Sequence, residues 1–132
     1  MKKIIILLLV SFNLQSCSEK LTGSSINNTK WTLTEWPQQT LPVGKMATLN
    51  FNEADKISGK SFCNGFGGIA NISGNSIKFD QLLGTMMFCE DVGTAEKLYL
   101  DGLKTATSFK VTDLKLRLYK GEVMLMEFSK MD

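Results

Sequence analysis

The sequence predicts an α+β domain that is mostly β, a set of antiparallel strands carrying a single α-helix. Apolar and polar residues alternate at the strand period between Lys30 and Phe62 and again between Phe109 and Phe128. One stretch, Ala95 to Ala106, changes to the three- and four-residue spacing of an amphipathic helix. A chain of 132 residues holds enough apolar side chains for one core and too few for two.

In chain order, Lys30-Trp31-Thr32-Leu33-Thr34-Glu35-Trp36 reads as the first strand, with Trp31 and Leu33 toward the core. Pro37 ends it because proline donates nothing to a ladder. Gln38 to Gly44 is a loop, Met46 to Phe51 a second strand with Leu49 and Phe51 on one face, Asn52 to Asp55 a turn, and Lys56 to Phe62 a third strand. Cys63 opens a glycine-rich stretch, Gly65-Phe66-Gly67-Gly68, which predicts a bulge or tight turn. It lacks the Lys-Ser/Thr ending that a phosphate-binding loop requires. Ile69 to Ile72 and Ile77 to Phe79 flank Ser73-Gly74-Asn75 as a hairpin.

Beyond Cys89, the residues Ala95, Leu98, Tyr99, Leu103 and Ala106 form the apolar stripe of the helix, with Asp91 or Thr94 as its cap and Gly102 weakening it. Phe109-Lys110-Val111 returns to strand. Leu114, Leu116 and Leu118 then alternate with Lys115 and Arg117, and Lys120-Gly121 turns into the last strand, Val123 to Phe128. Met124 and Met126 read as core filler.

The N-terminus reads as an export signal. Lys2 and Lys3 precede Ile4 to Val10, an apolar run of seven residues, far short of the roughly 20 needed to cross a bilayer. Leu14-Gln15-Ser16-Cys17 is similar to a bacterial lipobox, which implies cleavage before Cys17 and acylation of that cysteine. The expected organisation is a signal peptide at 1–16, a lipid-anchored tether at 17–29 and a folded domain at 30–132. Ser18 avoids the aspartate associated with inner-membrane retention in enteric bacteria, so the expected location is the cell envelope, on the outer membrane.

Export leaves Cys63 and Cys89 as a pair in an oxidising compartment, where a disulfide is expected. Two buried free thiols remain the alternative, since cysteine packs as a small apolar residue. A metal site lacks further ligands around this pair, and a reactive thiol lacks a base.

Histidine is absent, which removes the Ser-His-Asp and Cys-His constellations. Without residues 1–16 the chain carries 13 basic and 13 acidic residues and no long run of either sign, so nucleic-acid binding has no support. No catalytic residue, metal ligand or cofactor is assigned from these patterns.

The order of a tryptophan strand, Cys63-Asn64-x-Phe66-x-Gly68, Thr85-x-Met87-x-Cys89, one helix and a closing hairpin resembles the META domain, the family of HslJ-like lipoproteins. The likeness covers residues 30 to 129 and includes Trp31, Leu33, Leu49, Phe51, Gly59, Glu96, Leu103, Leu114, Leu116 and Phe128. Phe62 stands where the family usually has glycine, Ala70 where it has an aromatic, and Phe88 where it has alanine. The exchange of bulk between Ala70 and Phe88 is read as local repacking.

The resemblance implies one curved antiparallel sheet or half-open barrel packed with a single helix, and no established enzymatic activity. It associates the protein with the envelope, with heat-shock response and with antibiotic tolerance. The function expected first is a non-catalytic envelope lipoprotein, bound to the membrane through Cys17, whose domain contacts an envelope protein. A carrier of a small apolar ligand is the alternative, with Phe66, Phe79, Met87 and Met126 lining its cavity. An enzyme using Glu90 or Asp91 comes last.

Overall fold

The structure, a computed structural model, describes residues 26–132; the expected signal peptide, Cys17 and most of the tether lie outside the described residues. The elements are β1 (Thr29–Glu35), β2 (Ala47–Phe51), β3 (Lys56–Ser61), β4 (Asn64–Ser73), β5 (Ser76–Gly84), a short 3-10 turn (Glu90–Val92), α1 (Ala95–Thr105), β6 (Ser108–Thr112), β7 (Lys115–Lys120) and β8 (Val123–Met131). Neighbouring strands are antiparallel, and β8 comes back to pair with β1, so the curved sheet closes into an eight-stranded barrel. Closure removes the exposed edges that an open sheet leaves for aggregation. The seam is narrow between β5 and β6, which share one residue pair, Ser76 with Ser108. The chain between those two strands is α1, which packs mainly on β5 and β3.

An eight-stranded barrel has an interior just wide enough for side chains to fill. Trp31, Leu49, Leu116, Leu118, Met126 and Phe128 fill it with no exposure at all. Over one end, Tyr99 from α1 sits with its ring 5.8 to 6.4 Å from those of Phe62, Phe66, Trp36 and Phe128. Burial pushes its phenol pKa well up, so the hydroxyl stays protonated and donates to the Thr48 carbonyl at 3.0 Å. On the outer face, buried Glu127 accepts from Arg117 Nε at 2.7 Å, which holds the guanidinium above its ordinary range.

Several expectations need correction. The domain starts earlier than residue 30: Ile26 is fully buried in the core and Thr29 opens β1. An isolated apolar residue in a polar stretch carries no period, so the pattern assigned it to the tether. Leu98 is 37% exposed, leaving Tyr99 and Leu103 as the buried residues of α1. Thr94 occupies the N-cap position without a side-chain cap bond, and Asp91 belongs to the preceding 3-10 turn. Ala70 is buried while Phe88 is 86% exposed, so the phenylalanine does not repack the space beside the alanine.

Gly65 to Gly68 lie within β4, and the irregularity is a bulge rather than a turn. Gly67 pairs with Leu83 and Ile69 with Asp80, so Gln81 and Leu82 on β5 oppose Gly68 alone. A Cβ at Gly68 would stand 2.6 Å from Leu82 Cδ2 and 2.9 Å from the Asp80 carbonyl oxygen. The tight turn comes earlier, at Phe62-Cys63, which link Ser61 to its partner Asn64. Phe62 has φ of 70°, a left-handed conformation that glycine adopts freely. Its ring, stacked 5.8 Å from Trp36, offsets that cost by burial. The glycine that the family resemblance implies at this position has the same backbone reason.

Leu114 is not a core residue of β7. It is 68% exposed and forms a two-residue turn with Asp113, at φ of 59° and 52°. Asn-Gly suits such a turn, whereas leucine is strained there by about 1 kcal/mol. Leu114→Gly is therefore expected to raise stability by about 1 kcal/mol, read as a higher denaturant midpoint with an unchanged slope.

Gly59 carries the opposite expectation. It pairs across the sheet with Phe66, whose ring lies over it. An added Cβ would fall on the Thr48 carbonyl oxygen and come within 2.8 Å of the Phe66 ring. Because the obstruction is backbone, it cannot swing aside. Gly59→Ala is expected to cost about 2–3 kcal/mol in denaturant unfolding.

Candidate functional site: a clamped apolar segment

Residues 85–89 run from the end of β5 to the 3-10 turn without strand pairing, so something else must hold their backbone. The buried side chain of Asn64, at the start of β4, does so. Its Oδ1 accepts from Met87 N at 2.7 Å and from Thr85 Oγ1 at 2.9 Å. Its Nδ2 donates to Met87 O at 3.0 Å and to Glu96 Oε1 at 2.6 Å. The backbone N–H of Asn64 donates to the other Glu96 oxygen at 2.8 Å. One amide thus ties strand, connecting segment and helix together, with every polar atom of its side chain in use.

The disulfide reinforces the same corner. Cys63 and Cys89 are bridged, with Cα atoms 6.2 Å apart, so the connecting segment is pinned covalently two residues past Met87. At its other end Thr85 N donates to Gly65 O at 3.0 Å.

The sequence-predicted motif residues therefore converge. Cys63, Asn64, Phe66, Thr85, Met87, Cys89 and Glu96 serve one end of the β3–β4–β5 sheet, whereas Gly68 lies farther along β4, opposite Ile57 near the start of β3. Phe66 supplies the ring under Tyr99, and Gly68 admits the bulge in β5. What the backbone clamp presents is apolar: Met86 is 97% exposed, Met87 65% and Phe88 86%. Met46, 58% exposed, joins this end, since its carbonyl accepts from Phe62 N at 3.1 Å.

The four residues named for a ligand cavity are not brought together. Phe66, Phe79 and Met126 are buried in the packed core, and Met87 stands on the surface. Glu90 and Asp91 are exposed on the 3-10 turn, where Asp91 lies 3.9 Å from Lys45. Both oxygens of Glu96 are taken by Asn64, which leaves that carboxylate to position the helix. Among the described residues no group of three or more His, Cys, Asp or Glu could hold a metal ion. Met86 escaped the sequence reading, and Phe88 entered it only as a departure from the family pattern; the signal for both was an apolar triplet without strand period, set between Thr85 and Cys89.

Fold and corner together define a class: a small antiparallel β-barrel topped by one helix, with a disulfide-laced connection at its helical end. Within it, the family model of the META domain matches residues 24–132, and the chain belongs to that family. An NMR structure of a protein from Burkholderia xenovorans is similar, with 22% identity, a TM-score of 0.70, and 82% of this chain covered against 85% of that one. A crystal structure of a DUF4847 family protein from Bacteroides vulgatus is similar at 10% identity, with a TM-score of 0.61 over 83% of this chain and 98% of the other. No curated protein sequence matches the chain.

Proposed function

We propose that this protein is a non-catalytic lipoprotein of the bacterial envelope, and that its barrel presents Met86–Phe88 to an envelope protein, in stress response or antibiotic tolerance. One observation carries the reading: Met87 has both backbone polar groups tied to the buried Asn64 side chain while Met86 and Phe88 stand in solvent. Apolar side chains held in a fixed backbone lose little freedom on docking, which is what a recognition element requires. Solvent-exposed apolar side chains grouped on one rigid segment form a contiguous patch of the kind that marks a protein interface. The lipobox at Leu14–Cys17 supports the anchor, and the absence of histidine supports a binding role over catalysis.

The test is photo-crosslinking in intact host cells, with a photoreactive residue at Met86 or Phe88 and a control at Lys120. The reading expects one adduct mass shared by positions 86 and 88, missing at 120, and weakened at either position when the other of the two carries serine. Equal adducts at all three positions, or none at 86 and 88, would overturn it.

A further inference from the structure

We infer that the barrel end carrying the Asp113–Leu114 turn rests on the phospholipid surface, with Leu114 inserted, so that Met86–Phe88 face away from the membrane. The inference rests on the lipid-anchor reading and adds an orientation to it.

The register places the two ends. Lys30 pairs with Met131, and Lys130 N donates to Leu114 O at 3.0 Å, so the start of β1, the end of β8 and the Leu114 turn share one end. Asn28, Thr29, Lys30, Leu114, Met131 and Asp132 line a single surface depression there. Ala47 pairs with Ser61, and Asn64 follows by one turn, so the clamped segment lies at the other end. The seven residues of β1 separate the two by about 20 Å.

The chain enters at Ile26, on the Leu114 end. Nine residue steps join Ile26 to Cys17, a contour of at most about 30 Å. Seating the Leu114 end on the bilayer demands no extension of that length. Seating the opposite end would stretch most of it along the barrel wall, at an entropic cost. The occupant of the Leu114 end is therefore lipid, and a protein partner meets the other end.

Leu114 itself favours this. It keeps a strained left-handed backbone while most of its side chain stands in solvent, a cost that burial does little to offset inside the fold. A leucine at the tip of a two-residue turn reaches farther than its neighbours and matches the acyl boundary. The same end carries Lys30 and Lys130 but also Asp113 and Asp132, so contact is apolar rather than electrostatic and should be insensitive to salt.

The experiment uses the lipidated full chain in vesicles of phosphatidylethanolamine with a minority of phosphatidylglycerol. An environment-sensitive fluorophore (NBD) is attached through Lys130→Cys beside Leu114, or through Lys120→Cys at the far end; the bridged cysteines and acylated Cys17 do not react. The position 130 label is expected to shift to the blue and brighten several-fold, at low and high salt alike. It should return to its aqueous emission in Leu114→Gly, a variant expected to melt higher. The position 120 label should stay aqueous throughout.

An aqueous label at 130 or a shift at 120 instead would overturn the orientation, and a shift at 130 that survives Leu114→Gly would overturn the insertion of Leu114. Flotation separates the two claims. Protein that floats with an aqueous label at 130 retains the anchor and loses the orientation, whereas protein that fails to float loses both.

Discussion

Asn64→Ala is expected to lower the unfolding free energy by about 4 kcal/mol, a fall in Tm of roughly 20 °C. The side chain makes four hydrogen bonds, one of them to the Glu96 carboxylate, in a buried setting. Alanine strands the Met87 N–H and carbonyl without partners while the disulfide still holds Cys89 in place, so the segment cannot relax freely into solvent. Asn64→Asp sharpens the test, because it keeps size and acceptor and loses the donor facing Glu96. Two carboxylates then share one site, and the charged form is disfavoured in the folded state. The folded pKa of the pair is raised, so this variant should gain stability as pH falls through the raised value, whereas Asn64→Ala should not show that gain. Denaturant unfolding at neutral and acidic pH reads both. An Asn64→Ala loss under 1 kcal/mol would show that the amide is dispensable.

The second large effect is the disulfide. Cys63 and Cys89 are 26 residues apart, and closing a loop of that length stabilises by about 3.5 kcal/mol in the chain-entropy model. Cys63→Ser with Cys89→Ser should lower the unfolding free energy by that amount, read from denaturant unfolding, and alkylation of the untreated protein without reductant should label neither residue. Because bridge and amide hold the same segment, their losses should not add. The triple variant is expected to lose at least 0.5 kcal/mol less than the sum. Simple additivity would place them in separate units.

Much of this fold could be read from local pattern, since the inward residues of β1, β2, β7 and β8 alternate with polar ones and α1 has a helical stripe. Barrel closure could not, because the pairing of Leu33 with Phe128 leaves no local mark on either strand. The turns at Phe62-Cys63 and Asp113-Leu114 were hidden for another reason. Both put bulky residues at positive φ, where pattern reading looks for Gly or Asn. Ile26 was missed because one buried residue makes no period.

The site was legible as a motif and opaque as a mechanism. Cys63, Asn64, Thr85, Met87 and Cys89 were visible as a spaced set. What Asn64 does depends on partners 21 to 32 residues away, brought within bonding distance by the β4–β5 hairpin and α1. An asparagine next to a cysteine at a strand start says nothing about which carbonyl its amide will meet. Gly59 and Gly68 likewise needed their cross-strand neighbours, a ring and a bulge, before their small size had a cause.

The central claim is that Met86–Phe88 are displayed on a rigid backbone, and native-state hydrogen exchange at the Met87 amide tests it most directly. Its N–H lies on an exposed residue outside any strand, with the Asn64 side chain as its acceptor. Exchange governed by an opening free energy within about 1 kcal/mol of global unfolding is the predicted result, with that protection lost in Asn64→Ala. Exchange near the unprotected rate in the native protein would show a loose segment and contradict the account.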